Sequence, residues 1–141
     1  MPQPTVVVDT GPIVALVDAD ERHHDWARRT FDDLQPPLLT CDAVLSEASF
    51  LLRRAGADPD LPAALVERGV LRVAAGCATS DAARAVGRLI RRYANVPMSF
   101  ADACLVRIVE TTANASVMTL DGDFRIYRPA SRRVIPLLMP R

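Results

Sequence analysis

Two aspartates directly follow short apolar runs, at positions where a buried strand ends. Asp9 follows the β-branched run Thr5–Val8, and Asp121 follows the run 117–120. Continuous apolar runs are typical of strands buried on both faces of a parallel sheet, where chemistry collects beyond the carboxyl ends. Each aspartate also has a purely structural explanation. Asp9 can cap a helix beginning beside Pro12, and Asp121 can start an Asp-Gly turn.

Two more acids lie on predicted helices beside apolar residues. Asp102 precedes Leu105 and Val106 by three and four residues, which places it in the apolar stripe of its helix. A capping box with Ser99 explains an acid near the helix start, but explains its inward direction less well. Glu47 lies on the shoulder of the apolar face of its own helix, and an ion pair with an arginine accounts for it equally well.

Together these four acids predict a metal-dependent site. Carboxylates gathered without cations repel one another and lose hydration, so some would stay protonated. A divalent ion removes this problem, and a set of oxygen ligands without His or Cys favours Mg²⁺ or Mn²⁺ over zinc. Such an ion lowers the pKa of water and neutralises charge on phosphate, so hydrolysis of a phosphate ester is the expected chemistry.

Short apolar strands alternate with helices along the whole chain, which predicts an α/β fold with a mainly parallel sheet. Helices on both faces of that sheet would give three layers. The pattern places strands at about 5–8, 38–40, 70–74, 117–120 and 134–137. It places helices at about 12–17, 22–34, 42–54, 61–68, 79–94 and 99–112.

Length and composition indicate one domain spanning residues 1–141. The 17 basic residues balance the 17 acidic ones, which argues against a general polyanion binder. No apolar run is long enough for a membrane helix, and no secretory signal is recognisable. The three cysteines, an odd number without metal-ligand spacing, predict buried, reduced thiols and a cytoplasmic protein.

Four segments around the acids resemble the PIN-domain family, particularly the VapC-type toxin ribonucleases of type II toxin–antitoxin modules. The segments are VVVDTGPIVALVD, LSEASFLL, MSFADACLV and TLDGDF, in family order over residues 6–124. The resemblance implies a three-layer α/β/α sandwich with a sheet of four or five strands. It also implies a Mg²⁺- or Mn²⁺-dependent endoribonuclease that acts on RNA, usually as a homodimer, and is neutralised by a cognate antitoxin protein.

The resemblance also assigns roles to individual residues. It implies a catalytic and metal-binding set formed by Asp9, Glu47, Asp102 and Asp121, with Asp123 as a less certain fifth acid. Thr10 and Thr119 match hydroxyl positions that support the ligands, and Phe124 matches an aromatic to which we assign packing alone. The chain departs from the family in having no lysine, which leaves contacts with phosphate to arginine.

Four arginines form a basic ridge on the long predicted helix, namely Arg84, Arg88, Arg91 and Arg92. Their spacing puts them on one side, opposite an apolar stripe, and the ridge leads into the loop before Asp102. It fits RNA phosphates, and equally a solvated face or pairing with acids of an antitoxin. Aromatic residues are only 5% of the chain and most of them are assigned to packing, so specificity is expected to come from RNA shape and loop geometry.

Several other classes of protein could account for acids placed in this way. Receiver and haloacid-dehalogenase-type phosphotransfer domains also place acids at strand ends. Both normally need a lysine near the phosphoryl group, and this chain has none. A PIN nuclease outside a toxin module stays open. So does a non-catalytic interaction module, although loss of acids would be its mark and all four are present.

Overall fold

The central feature of the fold is a parallel sheet of five strands flanked by helices. A computed structural model describes residues 3–75, 77 and 79–141. The strand order is β3-β2-β1-β4-β5 and every pairing is parallel. The strands are β1 (Thr5–Val8), β2 (Leu38–Thr40), β3 (Leu71–Val73), β4 (Ala115–Met118) and β5 (Leu137–Leu138). The predicted α/β fold with a mainly parallel sheet of four or five strands is confirmed.

Helices fill the crossovers between the strands, largely where the sequence pattern predicts them. They are α1 (Thr10–Val17), α2 (His24–Asp33), α3 (Asp42–Arg54), α4 (Leu61–Glu67), α5 (Ser80–Arg92) and α6 (Phe100–Glu110). A 3₁₀ turn at Gly122–Arg125 was not predicted. No helix in the described ranges is long and apolar enough to cross a membrane.

The last two strands differ from the prediction in their bounds. Strand β4 begins two residues earlier than expected because Ala115 and Ser116 pair with Thr5 and Val6 of β1. Asn114 starts this strand from a left-handed conformation, with φ of 54°, which asparagine tolerates better than most residues. Strand β5 lies at the end of the predicted segment, since its bounds are set by pairing with β4. Backbone pairing, rather than apolar character, fixes these strand ends.

Strand β1 and helix α6 form the middle of the core. Residues Val6, Val7 and Val8 are buried, as expected for a central strand covered on both faces. Helix α6 contacts both β1 and β4 and buries six of its eleven residues, so its position against the sheet is tightly fixed. The three cysteines are buried and free, as predicted.

The sheet topology creates a crevice at its carboxyl edge. The chain runs from β1 outward through β2 to β3, then crosses back to β4 on the other side of β1. The strand order therefore changes direction at β1, and ligands of open parallel sheets bind beside such a point. Asp9 lies directly past the end of β1, where its amide donates to the Met118 carbonyl of β4 at 2.9 Å.

Candidate active site

Asp9 lies buried at the carboxyl end of β1 and caps helix α1. Its side chain is held by two donors: the Thr10 amide to Oδ1 at 2.8 Å and the Thr119 hydroxyl to Oδ2 at 2.7 Å. Burial raises the pKa of Asp9 to about 6, against the lowering effect of the two hydrogen bonds, and the charges of Asp102 and Asp121 add to the rise. Asp9 is thus a buried acid with other acids nearby.

Thr119 connects the acids that follow β1 and β4. While its hydroxyl donates to Asp9, the same oxygen accepts the backbone amide of Asp121 at 2.9 Å. Asp121 in turn accepts the amide of Asp123 through Oδ1 at 2.9 Å and so starts the 3₁₀ turn. Thr119 therefore links Asp9 to the Asp121 backbone by hydrogen bonds, and Asp121 also begins the turn expected of its Asp-Gly pair.

Glycine at position 11 lets the first turn of α1 approach this segment closely. A Cβ built on Gly11 would meet the side chain of Leu120 at 3.1 Å, so a larger residue would press on the chain between Thr119 and Asp121. The short contact explains why a glycine follows the Asp9-Thr10 pair.

Asp102 both caps α6 and belongs to the acidic cluster. Its amide donates to the Ser99 hydroxyl oxygen at 3.0 Å, and its Oδ2 accepts a hydrogen bond from the Ser99 amide at 3.1 Å, which completes a capping box. Burial raises the pKa of Asp102, and the charge of Asp121 contributes to the rise. The capping and site interpretations are therefore compatible, because the cap occupies one carboxylate oxygen.

Tyr127 is a site residue that the sequence analysis missed. Its hydroxyl donates to Asp102 Oδ2 at 3.2 Å, and its fully buried ring makes edge contacts with Tyr93 and Phe124. Burial and the charge of Asp102 raise the pKa of Tyr127 above its usual value, so the hydroxyl keeps its proton and stays a donor. The sequence offered only a weak signal for this role: a tyrosine that is buried needs a hydrogen-bond partner for its hydroxyl, but the sequence does not show which residue that is.

Glu47 and Asp123 take different positions relative to this cluster. Asp123 is half-buried, and its charge contributes to the raised pKa of Tyr127, which places it beside the other aspartates. Glu47 is exposed on α3, and no described contact joins it to the other acids. Its expected apolar neighbours Phe50 and Leu51 are themselves 58% and 37% exposed, because α3 buries Val44, Ala48 and Leu52 instead.

No salt bridge joins the clustered acids to a basic side chain within the described residues. The salt bridge found in those ranges joins Arg107 to Glu110 at 3.0 Å, away from the aspartates. The buried hydroxyl of Thr10, beside Asp9, has no hydrogen-bond partner there either. Carboxylate oxygens that repel one another, and a hydroxyl oxygen without a hydrogen-bond partner, are ligands that suit a hard cation. Among residues 3–75, 77 and 79–141, no group of three or more His, Cys, Asp or Glu side chains is placed so that it could hold a metal ion.

The arginine ridge is exposed as predicted. Its four members on α5, Arg84, Arg88, Arg91 and Arg92, face solvent and take part in no salt bridge within the described residues. Val86 and Leu89 on the other side of the helix are buried. The ridge ends beside Tyr93, whose ring packs on Tyr127, so its C-terminal end lies near the acidic cluster.

Most of the aromatic residues pack, as expected. Phe124 is fully buried, in agreement with the packing role assigned to it. Tyr127 is also fully buried, and three more aromatics are partly buried against the core, namely Trp26, Phe31 and Tyr93. Two are exposed: Phe50, at 58%, and Phe100, the first residue of α6, at 52%.

Comparison with known proteins agrees with this geometry. The PIN domain family matches residues 6–128, and no curated protein matches the chain. Among solved structures, the toxin VapC20 of Mycobacterium tuberculosis, described as cleaving the sarcin–ricin loop, is 28% identical with a TM-score of 0.73. That match covers 84% of this chain and 92% of VapC20. The chain therefore belongs to the PIN-domain family and, within it, resembles the VapC-type toxins.

Proposed function

We propose that this protein is a Mg²⁺- or Mn²⁺-dependent endoribonuclease that hydrolyses phosphodiester bonds of RNA, and that it is the toxin of a toxin–antitoxin pair. The carrying observation is the buried Asp9 carboxylate, whose pKa is raised by burial and by the charges of Asp102 and Asp121. No basic side chain of the described residues forms a salt bridge with these acids. A divalent cation would make the arrangement favourable.

The donor set fits a weakly caged magnesium or manganese ion. Asp102 accepts hydrogen bonds through Oδ2 and Asp121 through Oδ1. No described residue donates to the second carboxylate oxygen of either aspartate. These oxygens, together with Asp9, would hold the ion. Mg²⁺ commonly keeps several waters and binds through one or two carboxylates plus substrate phosphate, so a closed set of three side chains is not required. Asp123 and Glu47 stay proposed further ligands.

The residues around the ion have separate tasks in the proposed reaction. A bound divalent cation would neutralise developing charge on the phosphate and acidify a water molecule. Thr119 holds Asp9 and the Asp121 backbone in place, and the buried Thr10 hydroxyl has no hydrogen-bond partner among the described residues. An acid of the cluster that is not a ligand of the ion would orient the attacking water and accept its proton. The proposed reaction uses no histidine as acid or base. The His24 ring is hydrogen-bonded to the Ala15 carbonyl at 2.7 Å.

The arginine ridge of α5 is proposed to bind the RNA backbone. Its guanidinium groups are exposed, lack ion-pair partners among the described residues and lead toward Asp102. Each phosphate neutralised on a single strand contributes about 0.7 to the slope of log affinity against log salt. In an Asp102→Asn background, replacing Arg88 and Arg91 by glutamine should lower this slope by about 1.4. The matched control replaces Arg28 and Arg29 of α2; an equal effect there would contradict the assignment.

The partners proposed are a cognate antitoxin and a second copy of the chain. The similarity to VapC20 supports the toxin assignment. Large apolar side chains left exposed in the single chain support protein partners, namely Phe50, Leu51, Phe100, Ile126 and Val134. Sedimentation at micromolar concentration should give a dimer, and a strict monomer would refute that part. Expression in a bacterial host should arrest growth, and co-expression of the product of an adjacent small reading frame should restore it.

The central test is cleavage of RNA by the purified protein. Total RNA, and a ribosomal fragment containing the sarcin–ricin loop, should be cut at defined positions with Mg²⁺ or Mn²⁺ and left intact with EDTA. Asp9→Asn and Asp102→Asn should each lower the rate by about a hundredfold or more. Asp58→Asn, which removes an exposed acid of the α3–α4 connection, is the control.

Two outcomes would overturn the proposal. Equal cleavage by Asp102→Asn and the unaltered protein would mean that the acidic cluster is not the active site. Tight binding to another protein without cleavage of any RNA would favour a non-catalytic interaction module. Cleavage without growth arrest would instead identify a PIN nuclease outside a toxin module.

A further inference from the structure

Asp102 is held by two donors that bind the same carboxylate oxygen. The Ser99 amide and the Tyr127 hydroxyl both donate to Oδ2, at 3.1 and 3.2 Å. No described residue donates to Oδ1, and this oxygen is not among the buried polar atoms without a partner. It is therefore accessible, while Oδ2 is fully engaged. The two donors come from different parts of the chain and approach one oxygen, so they fix the carboxylate's rotation.

The Tyr127 side chain is itself held firmly in place. Its ring centroid lies 5.2 Å from that of Tyr93 and 5.1 Å from that of Phe124, both in edge-to-face contact. Its amide also donates to the Asp123 carbonyl at 3.2 Å. Such contacts leave the hydroxyl little freedom, because the ring is fully buried between two others.

We infer that Tyr127 is a positioning residue that engages Asp102 Oδ2 and thereby leaves Asp102 Oδ1 as the oxygen offered to a divalent cation. The inference rests on the proposed function, since it assigns a task within the same site. Partners that orient a metal ligand commonly change metal affinity by about 10- to 100-fold when removed. Ser99 cannot replace Tyr127, because its amide belongs to the helix cap and approaches from the start of α6.

The chain offers a matched control within the same aromatic group. Tyr127→Phe removes the hydroxyl bound to Asp102 and keeps the ring. Tyr93→Phe removes a hydroxyl that accepts the Arg128 amide at 2.9 Å and does not contact Asp102. Both variants lose one hydroxyl from neighbouring rings, so a general effect on packing should appear in both.

The experiment measures Mn²⁺ binding without RNA, by calorimetry or by the electron paramagnetic resonance signal of free Mn²⁺. Tyr127→Phe should weaken binding about tenfold, and Tyr93→Phe should stay within about twofold of the unaltered protein. With RNA, Tyr127→Phe should lower kcat and leave KM unchanged, because the hydroxyl orients a ligand and does not bind substrate. A crystal structure of Tyr127→Phe should show the Asp102 carboxylate rotated.

Three results would overturn the inference. They are unchanged Mn²⁺ affinity in Tyr127→Phe, equal losses in both tyrosine variants, or an unrotated Asp102 carboxylate in the Tyr127→Phe crystal structure. Failure of the proposed function looks different: the unaltered protein and Asp102→Asn would then bind Mn²⁺ equally, or not at all.

Discussion

Replacing Asp9 by asparagine should stabilise the metal-free protein while it lowers the rate of RNA cleavage by about a hundredfold or more. The folded protein holds this carboxyl group in a buried position with a pKa of about 6, against an ordinary value of 3.8. Because the folded pKa lies above the unfolded one, folding favours the protonated acid. For this group, stability is highest below about pH 4, falls as the pH rises from about 4 to 6, and stays low above that range.

The size of the effect follows from the difference between the two pKa values. A shift of about two units corresponds to about 3 kcal/mol at pH 8, which is an upper limit for the gain in the variant. Asparagine can still accept the Thr10 amide and can donate to the Thr119 hydroxyl oxygen, but these bonds lack the help of a charge. A net gain of about 2 kcal/mol is expected, or about 6 °C in Tm for a chain of this size.

The assay compares thermal and urea unfolding of both proteins in EDTA at pH 8 and at pH 4. The advantage of Asp9→Asn should be present at pH 8 and should disappear near pH 4, where the native acid is protonated. Saturating Mg²⁺ should stabilise the unaltered protein alone, by about 2.7 kcal/mol at a hundredfold excess over Kd. A variant that is less stable in EDTA at pH 8 would refute the reasoning from buried charge.

Three further substitutions test two residues of the proposed site and one contact outside it. Thr119→Val leaves Asp9 Oδ2 without its donor and the Asp121 amide without its acceptor, so urea unfolding should show a loss of about 2–3 kcal/mol that Thr119→Ser largely avoids. Glu110→Ala removes the carboxylate that accepts the Ala130 amide at 2.7 Å, and should cost about 1–2 kcal/mol and expose the following loop to proteolysis. Glu47→Gln should change unfolding by less than about 0.5 kcal/mol, since the side chain is exposed. Unchanged Mn²⁺ affinity in that variant would remove Glu47 from the proposed ligands.

Local pattern was sufficient to predict most elements and the acids that follow them. The run Thr5–Val8 can form a buried strand because it is continuously β-branched. Ser99 and Asp102 form a capping box between residues only three positions apart in the chain. Such signals act within a few residues. The position of β5 was less predictable, because its bounds depend on pairing with a strand far away in the sequence.

Glu47 illustrates where local pattern misleads. Helical spacing placed Glu47 beside an apolar stripe, and apolar residues do recur along α3 at that spacing. The helix α3 rotates so that Val44, Ala48 and Leu52 face the core, which leaves Phe50 and Leu51 exposed beside it. The rotation of a helix about its axis is decided by what it packs against, and an apolar face wider than the contact leaves that choice open.

From its residues alone, the chain carries a recognisable succession of strands, helices and acids, because hydrophobic period and capping chemistry are properties of neighbours. Folding supplies what neighbours cannot. The Thr119 hydroxyl meets Asp9 across 110 positions of chain, and the Tyr127 hydroxyl meets Asp102 across 25. Which carboxylate oxygens are engaged and which are left for a cation depends on these long-range contacts, and those exist only after the sheet and α6 have packed.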